Sequence, residues 1–149
     1  MRRWGKRGGR KNAIGISCGG RTTKVHALVD VIGRPLRLVL TPGNTSEIRG
    51  ADLLVADAAR MKRMIADRGY DANKLRATLK AQDTIPIIPG RRNRKRPIQY
   101  DERRYKDRWR VEAMFCRLKD FRRVATRYDK LARNFLSAVH LAAAVAFWL

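Results

Sequence analysis

Between residues 22 and 40 the chain carries two apolar, β-branched runs separated by five residues around Gly33, and no other feature limits its possible folds as much. Thr22-Thr23-Lys24-Val25-His26-Ala27-Leu28-Val29 and Pro35-Leu36-Arg37-Leu38-Val39-Leu40 flank Asp30-Val31-Ile32-Gly33-Arg34, a pattern that predicts a hairpin. Pro42-Gly43-Asn44 ends it, and Thr45 or Ser46 is placed to cap a helix through Ala51, Leu53, Leu54 and Ala58. A short strand over 63–66 runs into Asp67-Arg68-Gly69-Tyr70-Asp71. A helix follows over 73–82, with Asp71 as its expected N-cap. Residues 84–88 read as a further strand, in which Pro86 argues for an edge or strand-end position. After a basic loop, long helices are expected over 102–121 and 130–149. This order predicts an α/β fold, a mixed sheet flanked by helices. Residues 1–20, Gly-rich and basic, read as a flexible entry segment, which leaves 21–149 as the folded core.

Charge narrows the function. Lys and Arg number 35 against 13 Asp and Glu, a formal net charge of +22, so a polyanion partner is implied. A hydrophobic fraction of 44% over 149 residues suits one compact domain with a real core and excludes disorder as the default. Cys18 and Cys116 form no C-x-x-C pair, which fits a reducing cytoplasm and suggests neither zinc nor a disulfide framework. No apolar leader follows Met1. The apolar tail, 135–149, is shorter than the roughly 20 residues a membrane span needs, so it reads as a buried core helix. Neither His26 nor His140 has partners spaced for a metal site or a triad, and Trp4, Trp109 and Trp148 read as packing residues. Two readings stay open: an enzyme acting on nucleic acid, or a basic protein that only coats it.

The scarce carboxylates can be weighed one by one. Asp30 lies at the hairpin turn, Glu47, Asp52 and Asp57 on a surface helix, and most others in loops or on polar helix faces. Asp67 differs, because it closes an apolar strand and precedes Gly69, the position at which α/β sheets present ligand groups. Glu112 differs too. At about 100° per residue, Tyr105, Arg108, Glu112 and Lys119 share a helix stripe about 60° wide. Phe115, Val111, Leu118 and Met114 form the apolar face beside it. A carboxylate at that border, flanked by cations, is where a metal-bound phosphate would sit. A plain Arg108–Glu112 pair on a surface helix accounts for the same spacing.

The spacing Tyr105-x2-Arg108-x3-Glu112-x6-Lys119 resembles in full the Y(2)R(3)E(6)K signature of DDE insertion-sequence transposases. Asp67 with Gly69 and Tyr70 resembles that family's second-aspartate motif. The segments 19–27, 91–95 and 125–130 look like the insertion-sequence-five type, and the resemblance covers about residues 13–149. It implies an RNase H-like fold whose acids bind two Mg²⁺ ions, with cleavage of the element's ends followed by strand transfer into target DNA. Asp67 and Glu112 would then be catalytic and metal-binding, and Tyr105 would support their helix. Arg108 and Lys119 would contact DNA, together with Arg91, Arg92, Arg94 and Lys95 of the basic loop. It further implies a nucleoid-associated protein that assembles as a homo-oligomer on DNA. One departure stands out: no Asp or Glu precedes Asp30, whereas the family's first acid lies on the first strand. The resemblance therefore implies a C-terminal catalytic part, incomplete at its N-terminus, inactive or nearly so alone, and joined to an upstream reading-frame product or truncated. The rival reading is a non-catalytic binder of DNA or RNA.

Overall fold

The computed structural model describes residues 13–149 apart from 19, 57 and 128. The basic stretch 1–12 with Trp4, and the helix position of Asp57, lie outside the described residues. In chain order the elements are β1 (Gly15–Ser17), β2 (Gly20–Val29), β3 (Pro35–Pro42), α1 (Glu47–Val55), β4 (Arg63–Ile65), a 3₁₀ turn (Arg68–Tyr70), α2 (Asn73–Ala81) and β5 (Ile85–Ile87). Then follow α3 (Glu102–Tyr105), a second 3₁₀ turn (Lys106–Arg108), α4 (Trp109–Lys119), α5 (Arg122–Ala125) and α6 (Ala132–Phe147). They form two compact units: Met1–Thr45 with Ala113–Leu149, and Ser46–Glu112.

The first unit is built on the expected hairpin. β2 and β3 pair antiparallel, and β1, within the stretch read as a flexible entry, adds a third strand on β2. Gly33, at φ 88, takes the left-handed turn position that a side chain resists. Asp30 holds the turn: its Oδ1 accepts from the backbone of Ile32 and Arg34 at 3.0 and 2.9 Å, and its Oδ2 from Arg34 Nε at 2.8 Å. Leu38 packs with Met114, Leu118, Phe135, Val139, Ala142 and Ala143 as the core. The apolar tail is thus a helix with one buried face, while Leu141 and Val145 face outward. Among the described residues no helix is long and apolar enough to cross a membrane. His26, buried, contacts Thr41 Oγ1 through Nε2 at 2.7 Å.

In the second unit β4 and β5 pair parallel, and Ala51, Val55, Met64, Ala66, Leu75, Leu79 and Ile88 form its core. The fold is α/β, but a single mixed sheet does not form among the described residues. β4 and β5, three residues each, pair with each other and with no strand of the hairpin. The helix expected over 102–121 is interrupted at Lys106–Arg108. Those three residues turn about 120° each instead of about 100°, which carries Tyr105 about 60° round the axis to the Arg108 edge of the same stripe.

Candidate active site

Asp67 is where the strand reading puts it. Ala66 N–H extends the β4–β5 ladder to Ile87 O (3.3 Å), and the chain then breaks into the 3₁₀ turn with Asp67 as N-cap. Its Oδ1 accepts from Gly69 N–H at 2.7 Å, which fixes the carboxylate over the turn. Glycine at 69 has a steric cause: a Cβ there would stand 2.9 Å from Asp67 Oδ1 and 3.3 Å from Glu47 Cγ. Burial, together with the negative charges of Asp67 and Glu47, pushes the Tyr70 phenol up to about 12.

Asp67 lines a cleft of about 550 Å³ with Glu47, Arg68, Gly69, Pro89, Tyr100, Tyr105 and Arg108. Tyr100 and Tyr105 meet edge to face, centroids 5.4 Å apart. The Arg108 guanidinium lies 5.8 Å from the Tyr105 ring centre and donates to Glu112 Oε1 at 2.6 Å. Three residues expected to act together, Asp67, Tyr105 and Arg108, therefore share one cleft. Glu112 does not line it; its side chain is 57% exposed and pairs with Arg108, which does. Lys119, exposed, lies on the part of α4 that belongs to the first unit.

Sequence reading missed Glu47, Arg68 and Tyr100. Glu47 was taken for a surface counter-charge, yet it precedes fully buried Ala51 by four residues and therefore shares its inward face. That spacing was the available signal.

Asp71 is no N-cap. Ala72 occupies that position without a side-chain hydrogen bond, and the Asp71 side chain is fully buried among cations. Arg94 donates to both its oxygens, Nε to Oδ2 at 2.5 Å and Nη2 to Oδ1 at 2.7 Å. Arg76 Nε donates to Oδ1 at 2.9 Å and the Arg91 backbone N–H to Oδ2 at 2.7 Å. Burial alone would raise the carboxyl's pKa. The donors from Arg94, Arg91 and Arg76 outweigh it and hold the group far below the ordinary carboxylate range. Of the loop cations, Arg92 and Lys95 are exposed, while Arg91 also reaches Gly69 O at 3.2 Å.

The cleft's acids offer carboxylate oxygens, the donor type that Mg²⁺ takes. Mg²⁺ needs only one or two carboxylates besides waters, which Asp67 and Glu47 supply, although among the described residues no group of three or more His, Cys, Asp or Glu could hold a metal ion.

Residues 2–147 match the family model described as the transposase DDE domain. The chain belongs to the DDE transposase family. It is 41% identical over 132 residues to a Brucella ovis protein named as a transposase for insertion sequence element IS6501, covering 86% of this chain and 98% of that one. It is 29% identical over 143 residues to a Burkholderia cepacia protein named as a transposase for insertion sequence element IS402. That match covers 88% of this chain but only 64% of the longer relative. No solved structure matches.

Proposed function

We propose that the chain carries out DNA transposition by Mg²⁺-dependent cleavage and strand transfer at the ends of an insertion sequence of the insertion-sequence-five type, on an RNase H-like core. One observation carries this reading: an aspartate at a strand end, a tyrosine and an arginine, from segments about forty residues apart in sequence, line one cleft. Asp67 and Glu112 are the acids assigned to the divalent ion, which when bound supplies Lewis acidity for the attack of water and then of a DNA 3′ hydroxyl on phosphorus. Arg108 carries cation density along the cleft and competes with the ion for Glu112, so the same guanidinium that orients the acid also meets the phosphate. Tyr105 supports Arg108 through its ring face. Lys119 and the exposed loop cations Arg92 and Lys95 bind the DNA backbone, and a homo-oligomer on the element's ends brings two such clefts together.

The test is nicking of a supercoiled plasmid bearing the element's ends in Mg²⁺, with the chain alone and with an upstream reading-frame product. Asp67→Asn and Glu112→Gln are each expected to lower nicking by at least about 100-fold in the arm that nicks, more than the loss of an outer partner of a metal ligand gives. Silence in both arms, or unchanged nicking by Asp67→Asn, overturns the reading and leaves a non-catalytic DNA binder.

A further inference from the structure

Four residues after Asp67, the chain buries a second aspartate completely, and no part of the proposed chemistry uses it. Three arginines converge on Asp71 from different places: Arg76 from α2, and Arg91 and Arg94 from the basic loop. All three reach further. Arg76 Nη2 donates to Ile88 O at 2.7 Å and Arg94 Nη2 to Asn73 Oδ1 at 2.9 Å, so the network joins the end of β5, the start of α2 and the loop. Through the Arg91 contact with Gly69 O, it also touches the turn that carries Asp67. A buried carboxylate is costly unless every lone pair is satisfied, and here four charged or backbone donors satisfy it.

Arg94 grips both oxygens side-on, the forked geometry that suits a guanidinium and that a lysine cannot reproduce. Its charge is paired with a fully buried carboxylate, although the side chain itself is 24% exposed. Arg92 and Lys95, on either side, are exposed.

We propose that Asp71 is a positioning residue: with Arg94 as its latch it holds the basic loop in the conformation that presents Arg92 and Lys95 to DNA, and Arg94 itself neutralises no phosphate. The proposal rests on the reading that this loop binds DNA. A preformed loop binds more tightly because its ordering does not have to be met at the moment of association.

The experiment measures affinity for a duplex of the element's end as a function of salt, well below the unfolding temperature of each variant. Arg94→Gln is expected to weaken binding about 10-fold while leaving the slope of log K against log salt unchanged, because the number of phosphates neutralised is the same. Arg92→Gln is expected to flatten that slope by about 0.9, one phosphate contact. Arg94→Lys should be as weak as Arg94→Gln, since a point charge serves a phosphate but not the fork. A slope that drops by about 0.9 in Arg94→Gln and returns in Arg94→Lys makes Arg94 a phosphate contact and overturns the proposal. Unchanged affinity in both Arg94 variants overturns it as well, reducing the network to stability alone. Because no cleavage is read, these outcomes are separate from a failure of the catalytic assignment, and they do not depend on whether Asp71→Asn folds.

Discussion

The two units solve the problem of holding a chain in place by opposite means. In the first, strands of 10 and 8 residues give a long hydrogen-bonded ladder, and the apolar face of the 16-residue helix α6 packs on it. Its charge sits mostly at the surface or in turns, as with Asp30, with Arg127 and Asp129 partly buried. In the second, the strands are three residues long, and the segment from Ile88 to Tyr100 contains no strand or helix. A ladder that short cannot fix so much loop, and a fully buried aspartate with its arginines does it instead. The unit with the less regular backbone is also the one that carries the cleft.

Removing the fastener should show this most strongly. Asp71→Ala strands buried guanidinium groups and is expected to cost about 3–5 kcal/mol. Its loss of hydrogen-exchange protection should concentrate in residues 63–88. Leu118→Ala in the first core, at about 2–5 kcal/mol, should lose protection in the hairpin. Equal losses in both regions for both variants would erase the contrast.

A smaller effect follows from pH. The Asp71 carboxyl has a folded pKa below its unfolded one, so its contribution is fully present above the unfolded range and is lost as the pH falls through that range toward the folded value. Denaturant midpoints read on second-unit amides should therefore decline as the pH drops below about 4, by at most about 1.4 kcal/mol per pH unit for this group. Asp71→Asn should flatten that decline, and an equally steep profile in the variant would assign it to other acids.

The smallest effect is expected at Arg60–Asp83, paired at 3.2 Å with both side chains about four-fifths exposed. Arg60→Gln should leave the melting temperature unchanged within error, because solvent and salt screen such a pair. A clear drop would mean that surface charge also fastens this unit.

Much of this was legible in advance, for local reasons. The hairpin could be read because alternation and a Gly turn are properties of neighbouring residues, and Asp67 because an apolar run ending in Asp-x-Gly marks a strand end. Met114 and Leu118 were read as buried because four-residue spacing survives within α4. Errors arose where distant residues decide. The Asp71 position looks like a helix cap until Arg91 and Arg94, some twenty residues away, arrive to claim the carboxylate. Glu47 showed its inward face only through its spacing from Ala51, and the fold alone brings it to the cleft of Asp67.

The sequence by itself determined the family, the basic surface, the strand-end aspartate and the apolar faces, since each follows from residue type and short-range period. Tertiary structure alone decided which charges are free. An arginine in a loop reads the same whether it faces water or a buried carboxylate, and only the three-dimensional meeting of loop, turn and helix, where desolvation makes an unpaired charge costly, separates the latch at Arg94 from the exposed cations beside it.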